Sequence, residues 1–203
     1  MLSTLPQRGF TIVELLVGIT LLAVLLALGA PAMGTYLQNS KLASAAASYF
    51  TGIQMARAEA IRRNVRTEFV LTNDAISTPD IANALTPAIA GRNWVVRAAS
   101  GPAAFASAVE TKSGAEGEGS AAASALVVTG SASAPAVFDG RIPFNGFGGT
   151  ADGAPYQVDI TNPSIGTCAA SGGKVRCRRI TVSPGGQIMA CDPAAPAGDS
   201  RAC

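Results

Sequence analysis

The sequence contains no histidine, and this absence limits the chemistry that the chain can perform. Histidine is the commonest general base, the commonest neutral metal ligand and the usual sensor of pH near neutrality. Only three of the 203 residues are lysines, so the sequence also offers little for a serine–lysine catalytic pair. We therefore expect no enzyme, no metal site and no cofactor.

Charged residues are also scarce, at 14% of the sequence, whereas apolar residues make up 48% and the formal net charge is +2. This composition excludes a disordered polyelectrolyte and differs from that of a typical cytosolic enzyme. A chain of this length can form one globular unit with an appendage, and it is too short for us to expect two full hydrophobic cores.

Cysteines are confined to the last 36 residues, at Cys168, Cys177, Cys191 and Cys203. Their spacings match no Cys-x-x-Cys knuckle and no histidine is present, so zinc would need all four thiolates at irregular intervals. We predict disulfides formed in an oxidising compartment rather than four inert buried thiols. Three connectivities are possible, and we favour nearest neighbours, Cys168 with Cys177 and Cys191 with Cys203.

A long uncharged stretch lies near the N terminus. The nineteen residues from Leu15 to Met33 carry no charge, and as a helix they cover about 29 Å, close to the hydrocarbon thickness of a bilayer. We predict one long helix over 10–64 whose first half, about 12–34, spans the membrane. At Pro31 we expect a kink or a melted turn.

The segment RGFTIVELL, residues 8–16, resembles the type III leader junction of type IV pilins and type II secretion pseudopilins. The resemblance implies that a prepilin peptidase removes the leader 1–9 between Gly9 and Phe10 and methylates the new amino group of Phe10. An unpaired Glu14 carboxylate in hydrocarbon costs several kcal/mol, so Glu14 needs a partner. We expect an ion pair with the amino group of Phe10 in its own or a neighbouring subunit, which would set the register of a filament; the alternative is a carboxylate that reaches the headgroups.

Helical periodicity resumes beyond Pro31, with one apolar stripe at Leu42, Ala46, Tyr49, Ile53, Ala56 and Ala60. The segment MARAEAIRRN, residues 55–64, resembles the run that closes the long helix in the GspH/FimT family of minor pilins and pseudopilins. The segment RRITVSPGGQIMACDP, residues 178–193, similarly resembles the closing hairpin of that family.

Short β-rich runs separated by turn residues replace the helical pattern from Val65 onward. The predicted strands cover 66–72, 93–98, 124–130, 136–140, 156–161, 174–183 and 186–191. The stretch 101–125, rich in alanine, glycine and serine, is expected to be a flexible surface loop. The expected fold is therefore α+β and type IV pilin-like, with the long N-terminal helix packed on a C-terminal antiparallel β-sheet domain over 65–203, in the periplasm.

The family resemblance implies a minor pilin that takes part in assembly and priming of a type IV pilus, at or near its tip. Its partners would be other minor and major pilins, the inner-membrane assembly platform and the prepilin peptidase. The chain would lie in the bacterial inner membrane before assembly and in the pilus afterwards. A type II secretion pseudopilin is an alternative within the same family.

A DNA-binding minor pilin for natural transformation is the other alternative, because a basic cluster extends into the start of the last hairpin. Its members are Lys174, Arg176, Arg178 and Arg179. Such a cluster can neutralise phosphates, although alternate residues of a strand face opposite ways and no aromatic stacking platform is nearby. DNA-binding relatives carry Gly-Arg-x-Arg in the last hairpin, where this chain has GQIM at 186–189, so DNA binding is possible but not favoured.

Overall fold

The computed structural model describes residues 10–76, 81–101, 104–114, 127–134 and 136–203, without the side chains of 28–32, 81–82 and 106–107. The chain divides into two compact units, Met1–Leu37 and Gln38–Cys203. The helix α1, Ile12–Arg63, provides the described part of the first unit and the start of the second.

The first unit is the N-terminal part of α1. Its helix is assigned without a break through Pro31, so the melted turn expected there is wrong. The described large apolar side chains from Phe10 to Leu26 are all exposed. Over the residues that the structure describes, no helix has both the length and the apolar character needed to cross a bilayer.

In its described residues the second unit combines the rest of α1 with eight strands and a short α-helix. The elements are β1 (Thr67–Thr72), α2 (Ile81–Ala84), β2 (Asn93–Ala99), β3 (Phe105–Lys112), β4 (Val127–Ala132), β5 (Arg141–Phe144), β6 (Tyr156–Thr161), β7 (Arg178–Val182) and β8 (Ile188–Cys191). They form two antiparallel sheets of four strands, ordered β3-β2-β1-β5 and β4-β6-β7-β8. The α+β prediction is confirmed.

One hydrophobic core joins α1 to both sheets. All six residues of the predicted apolar stripe, from Leu42 to Ala60, are buried in it. Phe69 of β1 and Trp94 of β2 pack together, with ring centroids 5.7 Å apart. At Gly52 a Cβ would lie 2.9 Å from the Phe69 ring and 3.0 Å from the Trp94 ring, so glycine lets the helix approach the sheet closely.

The first sheet is covered on its other face by a smaller cluster. Because side chains alternate along a strand, Val70 of β1 and Val95 of β2 point away from α1. Leu85, just after α2, belongs to the same buried cluster as the two valines. The segment between β1 and β2 therefore covers the outer face, which explains why β1 is buried along its whole length.

The predicted loop 101–125 is wrong over Phe105–Lys112, which forms β3 and pairs with β2. This stretch is rich in small residues, which have low β propensity, so the sequence does not predict a strand here. Pairing with the buried strand β2 decides its conformation. The parts at 102–103 and 115–125 lie outside the described residues, as does the start of the predicted strand 124–130.

The strand predicted over 136–140 is also wrong, because the strand there is β5, which begins at Arg141. Phe138 packs edge-on against Tyr156, and the chain turns at Gly140, whose φ is +97°. The carbonyl of Gly140 still accepts a hydrogen bond from the Leu71 N–H at 2.8 Å. A buried aromatic side chain was thus mistaken for the centre of a strand.

Candidate functional site

The N-terminal end of α1 is capped by Thr11. The Thr11 hydroxyl accepts a hydrogen bond from the Glu14 backbone N–H at 3.2 Å, and the Thr11 carbonyl accepts one from the Leu15 N–H at 3.1 Å. Thr11 is therefore the N-cap and Glu14 is the third helical residue, as in a capping box. A carboxylate at this position also interacts favourably with the positive end of the helix dipole.

The predicted processing site lies directly before this cap. Phe10 is described and 83% exposed, whereas Gly9 lies outside the described residues. Glu14 is exposed in the first turn of α1, on the same short segment as Phe10. Cleavage after Gly9, methylation of Phe10 and the ion pair of Glu14 stay predictions.

The four cysteines form two disulfides. Cys168 pairs with Cys177, with Cα atoms 5.5 Å apart, and Cys191 pairs with Cys203, with Cα atoms 5.1 Å apart. This is the nearest-neighbour connectivity that the sequence favours. The first disulfide closes a loop that contacts α1, because the Arg176 N–H donates to the Asn39 side-chain oxygen at 2.9 Å.

The basic cluster at the start of the last hairpin is not one free cationic face. The predicted strand 174–183 is wrong before Arg178, because Lys174 to Cys177 belong to the disulfide-closed loop, where Ala169 N–H donates to the Val175 carbonyl. Lys174 is exposed, whereas the three arginines each contact a carboxylate.

Asp192, which follows β8, organises two of these arginines. The carboxylate is 1% exposed, and its Oδ2 lies 3.1 Å from Arg176 Nη1 and 3.6 Å from Arg178 Nη1. On the opposite face of β7, Arg179 Nε lies 2.6 Å from Asp159 Oδ1. Neither acid was predicted from the sequence, although Asp192 stands immediately beside Cys191. Two carboxylates thus partly neutralise the proposed DNA contact.

A similar pairing holds at the end of α1. Arg62 and Arg63 each lie 2.7 Å from the Glu59 carboxylate. The hydrogen bond from Arg62 is the main cause that lowers the pKa of Glu59 below its ordinary value. This end of the helix is therefore a surface of paired charges.

Two glycine turns meet beside Arg57 of α1. Arg57 Nε donates to the Gly148 carbonyl at 2.9 Å, and the Thr150 N–H donates to the Pro184 carbonyl at 2.9 Å. Gly186 has a φ of +79°, and a Cβ on it would lie 1.7 Å from the Gly148 oxygen. These contacts fix the β7–β8 hairpin, which has the family-like sequence, against the helix.

A capped N-terminal helix that continues into a core between antiparallel sheets defines a type IV pilin-like protein. Residues 45–186 match the family model described as type II transport protein GspH, and residues 5–30 match the prokaryotic N-terminal methylation motif. The chain belongs to the GspH family of minor type IV pilins and pseudopilins, which are structural proteins. The family resemblance is thereby confirmed.

Solved structures of a minor pilin are similar to this chain. Two crystal structures of the Pseudomonas aeruginosa PAO1 type IV minor pilin FimU each share 15% sequence identity with it. One, in space group P65, has a TM-score of 0.45 and covers 72% of this chain and 90% of FimU. The other, in space group P21, has a TM-score of 0.48 and covers 76% and 90%. No curated protein sequence matches the chain.

Proposed function

We propose that this chain is a minor pilin that takes part in assembly and priming of a type IV pilus, at or near the pilus tip. The observation that carries the proposal is the placement of Glu14 in the first turn of α1, four residues after Phe10, the expected new N terminus, and directly before the uncharged stretch. The match to the N-terminal methylation motif over residues 5–30 supports it.

In this proposal the prepilin peptidase cuts between Gly9 and Phe10 and methylates the Phe10 amino group. The stretch from Leu15 to Met33 holds the chain in the inner membrane until assembly, with the disulfide-bonded second unit in the periplasm. On assembly Glu14 pairs with the Phe10 amine of a neighbouring subunit. Buried in an apolar surface, that pair strengthens because water no longer screens it.

A second candidate is a pseudopilin of a type II secretion system, because the matching family model is described as a type II transport protein. In both roles the apolar N-terminal helix and the Glu14 ion pair would act in the same way. The phenotype of a deletion distinguishes the two roles. Deletion of a minor pilin lowers surface piliation and twitching, whereas deletion of a pseudopilin lowers protein secretion. The DNA-binding alternative is less favoured, because Arg176, Arg178 and Arg179 each contact a carboxylate.

The experiment that tests the proposal compares Glu14→Ala with Glu14→Gln in the full chain. Glutamine retains a side chain that suits the third helical position of a capping box but carries no charge. If Glu14 pairs with an amine, both variants lose incorporation into filaments, measured by immunoblotting of sheared filaments. If Glu14→Gln incorporates normally whereas Glu14→Ala does not, the side chain at the capping position matters and its charge does not.

The processing step has its own measurement. Mass spectrometry of the mature chain is expected to find an N-methylated Phe10 at the N terminus. A mature chain that begins at another residue would contradict the proposed role of the Phe10 amine.

A further inference from the structure

Among the described residues, three of the four edge strands each form hydrogen bonds on their outer side with another segment of the chain. At β3, Asn83 donates to the Phe105 carbonyl at 2.8 Å and accepts from the Phe105 N–H at 3.0 Å. At β5, the Ala151 N–H donates to the Pro143 carbonyl at 2.8 Å. At β4, the Gly130 N–H donates to the Ile89 carbonyl at 3.0 Å. Such contacts leave less of an edge free to pair with another chain.

Among the residues that the structure describes, nothing pairs with the fourth edge, the outer side of β8, along Ile188–Cys191. The Ser183 N–H donates to the Gln187 carbonyl at 2.9 Å, so Gln187 belongs to a hydrogen-bonded pair of the β7–β8 ladder. In an antiparallel ladder such pairs alternate, so the N–H and C=O groups of Ile188 and Ala190 point away from β7. Within the described part of the chain, no backbone hydrogen bond from another element reaches these groups.

The next residue on the same edge already pairs with a strand-like segment. The Asp192 N–H donates to the Arg201 carbonyl at 2.7 Å, and Asp192 and Ala202 form an isolated parallel bridge. The chain's own C-terminal segment thus uses this edge at Asp192. The geometry of the edge therefore suits an added strand. Ile188 and Ala190 lie on the N-terminal side of this bridge.

A depression of about 280 Å³ lies on the outer face beside the open edge. Across its floor Ser131, Gln157, Thr181 and Met189 stand in register on four successive strands. No charged residue lines it, and Met189 is 44% exposed. Hydroxyl and amide groups together with a flexible thioether suit an uncharged polar side chain of a strand laid along β8.

The charge at the end of this edge indicates a further property of the added strand. Two arginines, Arg176 and Arg178, share the single Asp192 carboxylate, and the Arg176 side chain is 52% exposed. Arg201 pairs with Asp199, which also interacts electrostatically with Arg176, so the side chains of this cluster together carry one more positive charge than negative charges. An added segment that carries an acidic residue at that end would be complementary to it.

We propose that β8 is an assembly edge, to which a different neighbouring subunit of the same filament adds an extended, acidic segment as a fifth strand. Backbone groups of Ile188 and Ala190 form the new ladder, which is the β-augmentation mode of recognition. The inference rests on the proposed function. A second copy of this chain does not fit, because two β8 edges would pair as a closed twofold dimer, and such a pairing does not propagate along a filament.

The first experiment measures amide hydrogen exchange of the full chain in detergent and in filaments. Exchange is quenched and read residue by residue after the filaments are dissolved. The Ile188 and Ala190 amides are expected to exchange at least about tenfold more slowly in the filament, since each gains a hydrogen bond. The Met189 amide, which points toward β7, is the internal control and is expected to be protected in both states.

The second experiment compares Ala190→Pro with the matched control Ala190→Ser. Proline removes the outward N–H of residue 190 without removing a bond to β7, and it is tolerated on edge strands. Incorporation of the proline variant is expected to fall at least about fivefold, as for the loss of one hydrogen bond of ordinary strength, whereas the serine variant incorporates normally.

The outcomes separate this inference from the function on which it rests. Unchanged exchange of Ile188 and Ala190 in filaments that contain the chain would overturn the assembly edge and leave the minor-pilin proposal intact. A β8-linked homodimer would also overturn it. Absence of the wild-type chain from both pili and pseudopili would overturn both. The exchange measurement uses the unmodified chain, so it decides the matter even if Ala190→Pro misfolds.

Discussion

Arg97 of β2 donates two hydrogen bonds to the Glu68 carboxylate of β1, from Nε at 3.0 Å and from Nη2 at 2.8 Å. Both side chains are buried, on the face of the first sheet that points away from α1. The Arg97 guanidinium also lies 3.9 Å from the centre of the Phe105 ring of β3. One buried ion pair therefore connects three neighbouring strands.

Removal of one partner of this pair is expected to destabilise the protein strongly. Arg97→Met would leave the buried Glu68 carboxylate without its main partner, at a cost of about 3–5 kcal/mol in the free energy of unfolding. The double variant Glu68→Leu with Arg97→Met leaves no buried charge and should lose much less. Denaturant unfolding of the two single variants and the double variant tests this as a double-mutant cycle.

Arg66 provides the matched control for this cycle. Its Nη2 atom lies 2.6 Å from Glu68 Oε1, but the Arg66 side chain is 52% exposed. Arg66→Ala is therefore expected to cost at most about 1 kcal/mol. Equal losses for Arg66→Ala and Arg97→Met would contradict the importance of burial.

The turn of the last hairpin contains two adjacent glycines, of which only one lacks space for a side chain. Gly186→Ala places a Cβ against the Gly148 carbonyl at a φ of +79°, so we expect a loss of about 1–3 kcal/mol from backbone strain, and more from the steric clash. At Gly185 a Cβ meets nothing within 4 Å. Thermal unfolding should therefore show a large decrease for Gly186→Ala and little change for Gly185→Ala.

The C-terminal loop contains a carboxyl group with a shifted pKa. A side-chain hydrogen bond from Arg201 is the main cause that lowers the pKa of Asp199 to about 2. Because the pKa is lower in the folded state, the favourable contribution is complete above the ordinary pKa of 3.8 and is lost as the pH falls toward 2. NMR titration should show the pKa of Asp199 rising toward 3.8 in Arg201→Gln.

The control for this titration is a change of a remote surface charge. Arg92→Gln removes an exposed guanidinium outside the C-terminal loop and should leave the pKa of Asp199 unchanged. An equal rise of the pKa in both variants would show that net charge, and not the bond to Arg201, lowers it.

The second disulfide is expected to stabilise the C-terminal segment. Cys191 and Cys203 are twelve residues apart, and the chain-entropy model assigns about 3 kcal/mol to a loop of about this size. The double variant Cys191→Ser with Cys203→Ser should lower the unfolding temperature and release the Arg201 carbonyl from the Asp192 N–H. Faster exchange of the Asp192 amide is the local measurement, with the Thr181 amide in β7 as a reference.

The long helix and much of the sheet were predictable because their signals are local. The apolar stripe of α1 has a period set by the helix itself, and β1, β2 and β6 alternate or are apolar between clear turn signals. Nearest-neighbour disulfides follow from short spacing along the chain. The leader segment and the segment 55–64 placed the chain in its family without reference to the tertiary structure.

The features that the sequence does not predict depend on partners far apart in the chain. Strand β3 has little apolar signal, and its conformation depends on pairing with β2 and on the contact between Phe105 and Arg97. Asp192 became important only because the fold brings two arginines from before and within β7 to a carboxylate after β8. A linear pattern of charges contains no information about which acids lie nearby in space.

The sequence by itself determined the long N-terminal helix, the apolar stripe and the family, because these depend on residues within a few turns of one another. The tertiary structure alone decided which basic residues are paired and which sheet edge stays open. Both depend on strand order and register, which are set by contacts between residues far apart in the chain.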